Sequence, residues 1–191
     1  RVGVSIDSAG VLTITDRLNG TWLRDSGLRS RSEGKSTLVL STNSGGSFYG
    51  AGERGHKLNL RGDTLVNYNR QNYGYTGDDQ RISQMNITMP VLLSSDGFAL
   101  LFDDFAASTM VASDSIVYTT ESDLPVTYYY IGGVHSLAEL TTALTSLTGR
   151  QPLPPFWAMG YITSKYGYKS PEETVAAVDS LRGQGYPLDG I

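Results

Sequence analysis

The first two-thirds of the chain alternate apolar and polar residues, a pattern typical of strands half-buried in an antiparallel sheet. The first two such runs, residues 2–6 and 11–15, flank residues 7–10, whose Asp-Ser-Ala-Gly sequence predicts a hairpin turn. Further β-rich runs lie at residues 37–40, 89–93, 98–102, 115–119 and 126–131. Many short strands with little helix between them predict an antiparallel β-sandwich.

The pattern changes at Ser136, which forms a capping box with Glu139 and so predicts the beginning of a helix. Leucines then recur at helical spacing up to Leu147, and Gly149 suits the end of that helix. Residues 151–155 contain three prolines, which continue neither a helix nor a central strand. We therefore predict an N-terminal β-sandwich domain at residues 1–150 that ends in a short helix.

Residues 151–191 have a different hydrophobic pattern and predict a different order of elements. Residues 156–163 form an apolar run without clear period, which predicts a strand buried on both faces. A loop at residues 164–169 leads to a second capping box, Ser170 to Glu173, and residues 188–191 open another strand. This β-loop-α-β order is one unit of a parallel sheet, which cannot bury its faces alone. We expect a Pro-rich linker and the truncated start of a longer α/β domain.

Composition narrows the function classes. Of 191 residues, 39% are hydrophobic, which fits a folded globular protein. The net charge of -4 and the scattered basic residues argue against nucleic-acid binding, and no apolar run approaches the length of a membrane span. The absence of cysteine excludes thiolate sites, and His56 and His135 lie far apart, so we predict neither metal nor cofactor.

Two segments carry candidate sugar-binding chemistry. Residues 66–75 are dense in amides and aromatics, and Arg70 and Gln71 supply the directed donors and acceptors that a polyhydroxylated ligand needs. In the loop at residues 164–169, Tyr166 and Tyr168 offer flat ring faces with a hydroxyl tip. The alternatives are an exposed loop without a ligand at the first segment and a tyrosine packed beneath its own loop at the second.

The glycine-rich residues 48–55 are not a phosphate loop, since no Lys-Ser/Thr follows and no helix opens there. We predict a packed turn in which Glu53 and Arg54 satisfy buried backbone groups or each other. The neighbouring aspartates Asp103 and Asp104 do not converge on one atom, because adjacent strand residues point to opposite faces.

The sequence resembles the N-terminal part of a family 31 glycoside hydrolase. The resemblance is carried by residues 48–54, 86–94, 97–103, 129–133, 147–161, 164–168 and 185–189. Its most specific part runs from Leu-Thr-Gly-Arg at residues 147–150 to Tyr-Gly-Tyr at residues 166–168. Residues 1–47 are similar in strand character alone.

The resemblance implies a galactose-mutarotase-like β-sandwich followed by a (β/α)₈ barrel whose first strand is residues 157–163. Members cleave α-glycosidic bonds with retention, by means of an Asp nucleophile and an Asp acid/base on later barrel strands. These aspartates would lie beyond residue 191, so the resemblance assigns no catalytic residue to this chain.

Substrate contacts are implied more directly. Tyr166 matches the family position that packs near the sugar in subsite -1. Arg70 and Gln71 fall where some members place an Arg-Asp pair against sugar hydroxyls, and the neutral Gln71 departs from that pattern. Tyr73 belongs to a Tyr-Asn-x-x-x-Tyr-Gly-Tyr pattern similar to the bacterial branch that includes 4-α-glucosyltransferases.

The sequence therefore predicts part of an enzyme acting on α-glucosidic oligosaccharides, by hydrolysis or transglucosylation. Alternatives are an α-xylosidase or α-galactosidase of the same family, a non-catalytic carbohydrate-binding β-domain, and a free-standing mutarotase, which the settings of His56 and His135 disfavour. The expected partners are an oligosaccharide and the rest of the barrel. A periplasmic or secreted bacterial location is favoured, and a cytoplasmic one stays open.

Overall fold

The computed structural model describes residues 1–55, 57–70 and 86–191, with the backbone alone at Leu28. The chain divides into two compact units, Arg1–Thr148 and Gly149–Ile191, and each is described by itself.

The first unit is a two-sheet antiparallel structure. Its strands are β1 (Val2–Ile6), β2 (Leu12–Asp16), β3 (Thr21–Ser32), β4 (Lys35–Thr42), β5 (Phe48–Gly52), β6 (Thr64–Asn67), β7 (Thr88–Ser94), β8 (Phe98–Asp103), β9 (Ser108–Ala112), β10 (Ser115–Thr120) and β11 (Thr127–Ile131). Seven of them form a sheet in the order β1-β2-β3-β4-β10-β9-β6, and four form a second sheet in the order β11-β8-β7-β5.

One hydrophobic core joins the two sheets. Alternate residues of the larger sheet, such as Leu38, Leu40 and Ile116, are fully buried together with Phe48 and Phe102 of the smaller sheet. The Phe102 and Tyr118 rings stack with centroids 4.1 Å apart. The predicted antiparallel β-sandwich is confirmed, because both sheets bury one face in a shared core.

The predicted strands are present, but the alternation of residues did not indicate four others. These are β3, β5, β6 and β9. β3 was missed because it is rich in Arg and Ser, and its pairing with β4 is interrupted between Asp25 and Arg29. β5 was missed because its glycines are typical of turns, yet residues 48–50 pair with β7. The prediction of a turn there was wrong for these residues.

Both predicted capping boxes are present. Helix α1 (Leu137–Thr148) begins where the Glu139 amide donates to Ser136 Oγ at 3.2 Å. The Glu139 carboxylate accepts from the amide of His135 at 2.9 Å, one residue before the serine. The serine hydroxyl thus satisfies an amide that the helix N-terminus otherwise leaves unpaired, and the glutamate holds the residue before the cap.

The second unit holds a 3₁₀-helix (Phe156–Met159), β12 (Tyr161–Ile162), helix α2 (Pro171–Gly183) and β13 (Leu188–Gly190). β12 and β13 are parallel, with Tyr161 opposite Leu188, as the β-loop-α-β order predicts. The prediction of a buried strand over residues 156–163 was wrong in extent, since its first part is a 3₁₀ turn after Pro155. Gly160 then lets the chain pass the Asp189 side chain, whose Oδ2 accepts from the Tyr161 amide at 3.1 Å.

Two buried carboxylates tie the sandwich together. Asp25 accepts from both Nη atoms of Arg29 at 2.9 and 3.0 Å and from the Tyr128 hydroxyl at 3.0 Å. Burial raises the pKa of Asp25, but the hydrogen bonds from Arg29, the Gly27 amide and Tyr128 outweigh it and leave the pKa lowered. Burial and hydrogen bonding compete in the same way at Asp16, and its pKa is also lowered.

Acidification is therefore expected to destabilise the first unit. A carboxylate with a lowered folded pKa stabilises the fold above its unfolded pKa of about 3.9, and that contribution is lost as pH falls through the folded value. Thermal midpoints measured between pH 7 and pH 3 should fall below about pH 4. The fall should be shallower in Asp25→Asn, and a midpoint that holds constant to pH 3 would contradict this expectation.

Candidate functional site

The loop that carries Tyr166 follows the carboxyl end of β12. It is fixed at its far side by Glu173, whose carboxylate accepts from the Lys169 amide at 2.9 Å and from Lys165 Nζ at 3.4 Å. The Lys169 hydrogen bond and the Lys165 charge hold the pKa of Glu173 below its usual range. Ser170 caps α2 through the Glu173 amide, so the helix cap and the loop anchor share one residue.

The two tyrosines of this loop have different surroundings. Lys165 Nζ lies 5.0 Å from the centroid of the Tyr168 ring, and Tyr168 is half-buried. Tyr166 is 104% exposed, so neither face of its ring is used within its unit. A ring that is presented in this way can stack on the C–H face of a sugar while its hydroxyl donates or accepts.

A second polar surface lies at the end of β6, in the first unit. We call it the β6 groove, a depression of about 440 Å³ lined by Lys35, Val66, Asn67, Tyr68, Arg70, Ala107, Ser108, Thr109, Thr119 and Glu121. Arg70 is exposed, and Tyr68 is 56% exposed. Lys35 Nζ and Glu121 Oε1 pair across the groove wall at 3.3 Å. The charged residues of this lining are Lys35, Arg70 and Glu121, whose side chains can hydrogen-bond sugar hydroxyls.

The structure describes two of the four predicted site residues and places them in different units. Arg70 lies in the β6 groove and Tyr166 on the exposed loop of the second unit. Gln71 and Tyr73 lie outside the described residues, so their predicted roles stay predictions. The sequence did not indicate Lys35 and Glu121, because they meet only through the pairing of β4 with β10.

Glu53 and Arg54 satisfy backbone groups, as predicted, although they follow a strand. Glu53 accepts from the Asn86 amide, and Arg54 Nη2 donates to the Val66 carbonyl at 2.8 Å. Asp104 is structural in the same sense, since its Oδ2 accepts from the Tyr118 hydroxyl at 2.9 Å.

Within the described ranges, no three His, Asp or Glu side chains gather as a metal site would require. No helix among these residues is long and apolar enough to cross a membrane.

The chain belongs to glycoside hydrolase family 31. Residues 2–110 match the glycosyl hydrolase 31 N-terminal galactose mutarotase-like domain, and residues 151–191 match the family 31 TIM-barrel domain. The expected galactose-mutarotase-like domain is therefore the one that the family model matches. The parallel β12–β13 pair lies in the segment that matches the TIM-barrel domain.

Relatives agree with this assignment. The chain is 28% identical over 148 residues to alpha-glucosidase 2 of Bacillus thermoamyloliquefaciens, covering 75% of the chain and 19% of that protein. It is 34% identical over 120 residues to an alpha-xylosidase of Saccharolobus solfataricus, covering 61% of the chain and 16% of that protein. The chain thus spans less than a fifth of the length of either relative.

The fold is shared with a solved family member. The family 31 dextranase of Flavobacterium johnsoniae, solved with isomaltotriose, superposes with a TM-score of 0.80 at 19% identity. The match covers 98% of this chain and 25% of the dextranase, so both units have counterparts in its fold.

Proposed function

We propose that the full-length protein is a retaining α-glycosidase acting on α-glucosidic oligosaccharides, by hydrolysis or transglucosylation. The observation that carries the proposal is the position of Tyr166 on the loop after β12, in the segment matched to the family barrel. In (β/α)₈ barrels the loops at the carboxyl ends of the strands build the active site. This position on the loop after β12 supports a substrate-binding role for Tyr166.

The chemistry of the reaction separates the residues that cleave the glycosidic bond from those that bind the sugar. Retaining cleavage needs two carboxyl groups about 5–5.5 Å apart, one a nucleophile and one an acid/base. We assign both to barrel strands outside this chain. The residues of this chain bind and orient the sugar, Tyr166 by ring contact and Arg70 by charge-assisted hydrogen bonds to hydroxyls.

A second candidate is an α-xylosidase, because the relative with 34% identity carries that name. Xylose lacks the hydroxymethyl group of glucose, so it offers the enzyme one hydroxyl fewer for hydrogen bonding. An α-galactosidase differs by the configuration of one hydroxyl. The match of residues 151–191 to a catalytic barrel does not favour a non-catalytic sugar-binding domain.

The test uses the full-length protein with matched aryl α-glucoside, α-xyloside and α-galactoside substrates. We expect the highest kcat/KM with the α-glucoside and an initial product of α configuration by proton NMR. With maltose or isomaltose, longer products indicate transfer and free glucose indicates hydrolysis. Absence of turnover on all three glycosides and both disaccharides would contradict the proposal.

Substitution of Tyr166 separates binding from folding. In the full-length protein, Tyr166→Ala is expected to lower kcat/KM by roughly 10- to 100-fold, because the lost ring contact acts on substrate and transition state alike. Phe105, which is 101% exposed in the sandwich unit, gives a matched control, and Phe105→Ala should leave kcat/KM unchanged. Equal kinetics in the two variants would place Tyr166 outside the substrate site.

A further inference from the structure

The end of β5 has an unusual backbone. Gly50, Ala51 and Gly52 all have positive φ, at 99°, 61° and 84°. The pairing with β7 shifts here, since Gly50 lies opposite Leu92 and Gly52 opposite Thr88. The extra residues of this bulge lie on β7, and a bulge increases the local twist of a strand pair. The Glu53 amide then donates to the Ile87 carbonyl at 2.7 Å, so Glu53 and Arg54 leave the sheet beside the start of β7.

Arg54 joins this bulge to the end of β6. Its Nε donates to the Ala51 carbonyl at 3.0 Å, and its Nη2 donates to the Val66 carbonyl at 2.8 Å and to Asn67 Oδ1 at 3.3 Å. Burial lowers the pKa of the Arg54 guanidinium. A planar fork with several fixed donors can hold two chain segments in one geometry, which a single ammonium cannot do.

Asn69 and Glu53 join the residues before and after the segment 70–85. Asn69 Oδ1 accepts from the Thr88 amide at 2.6 Å and from Thr88 Oγ1 at 2.9 Å. Glu53 Oε2 accepts from the Asn86 amide at 3.2 Å. The chain that enters this segment and the chain that leaves it are therefore held to each other and to β5.

We propose that Glu53, Arg54 and Asn69 form a clamp that positions Arg70 for contact with substrate. The inference rests on the proposed function, in which Arg70 donates hydrogen bonds to sugar hydroxyls. The clamp residues are positioning residues, since they reach the backbone of the segment ends and not the ligand. Their effect on substrate is transmitted through the placement of Arg70, which directly follows Asn69.

The test compares two arginine variants of the full-length enzyme. Arg54→Lys keeps the charge and loses the fork. We expect KM to rise about tenfold with kcat within twofold, because misplaced hydroxyl contacts weaken ground-state and transition-state binding equally. Arg61 is the matched control, since its guanidinium also donates to backbone carbonyls, those of Ser44 and Gly46, and to Asp114. Arg61→Lys should leave KM unchanged.

Substitution of Asn69 is a second test of the clamp and includes a conservative variant. Asn69→Asp keeps an acceptor for both Thr88 groups, whereas Asn69→Ala removes it. We expect Asn69→Ala to raise KM about tenfold and to speed hydrogen exchange at the Thr88 amide, and Asn69→Asp to restore both.

These measurements distinguish failure of the clamp proposal from failure of the proposed glycosidase function. Equal KM in the Arg54 and Arg61 variants would overturn the clamp, as would exchange at Thr88 that is unchanged in Asn69→Ala. Faster exchange with unchanged KM would also overturn the proposal, because the clamp would then have no link to substrate. Failure of the proposed function has a different signature, namely a native enzyme without glycosidase activity.

Discussion

Gly52→Ala is expected to destabilise the β-sandwich unit far more than the same substitution at Gly62. A Cβ at Gly52 would overlap the Ile87 carbonyl oxygen and stand 2.7 Å from Thr88 Cα and 2.9 Å from Met89 N. These are backbone atoms of a paired strand and cannot rotate away. Steric overlap and a φ of +84° together predict a loss of roughly 3–5 kcal/mol in the free energy of unfolding.

Gly62 supplies the control for this prediction. Its φ is +82°, and a Cβ there would meet nothing within 4 Å. Gly62→Ala therefore carries the conformational cost alone, about 1 kcal/mol. Urea unfolding of both variants measures the difference, and equal losses would show that the β7 backbone moves aside at little cost.

Asp16→Ala is the second substitution with a large expected effect. The buried Asp16 carboxylate accepts from the Leu18 amide, from Asn19 Nδ2 and from the Gly133 amide, each at 2.9 Å. It thereby connects the end of β2 in one sheet with the chain just after β11 in the other. Its removal leaves these donors without that acceptor, which predicts a loss of about 3 kcal/mol.

Asp7 is the matched control for Asp16. Its Oδ1 accepts from the Ala9 and Val11 amides at 2.9 and 3.0 Å, but the residue is exposed and water can replace the carboxylate. Asp7→Ala should cost no more than about 1 kcal/mol. Thermal unfolding near neutral pH distinguishes the two variants. A smaller loss in Asp16→Ala than in Asp7→Ala would contradict the connecting role of Asp16.

Local sequence signals predicted the fold where the local chemistry determines the structure. The Asp7 turn, the two capping boxes and the alternating strands act within a few residues, and all are present. β6 and β9 were not recognised because short strands gain their order from partners far along the chain. The apolar run at residues 156–163 gave too long a strand, since hydrophobicity alone does not distinguish a 3₁₀ turn from an extended segment.

The candidate site was predictable in part. Tyr166 could be proposed from the sequence because its place on the loop after β12 follows from the βα order and from the family resemblance. The β6 groove could not, since Lys35 and Glu121 come together through strand register, which a single sequence does not reveal. Arg54 was recognised as a backbone partner, but its two carbonyl acceptors depend on the left-handed residues before it.

The contact between Asn69 and Thr88 has a consequence for how the residues between them can vary among related enzymes. Where the two ends of a segment are held together by the scaffold, the segment can be exchanged for one of another length or composition. The entropy of closing the new connection grows only slowly with its length. Under the proposed function, exchange of residues 70–85 for those of another family member is therefore expected to change sugar preference while the pairing of β5 with β7 stays intact.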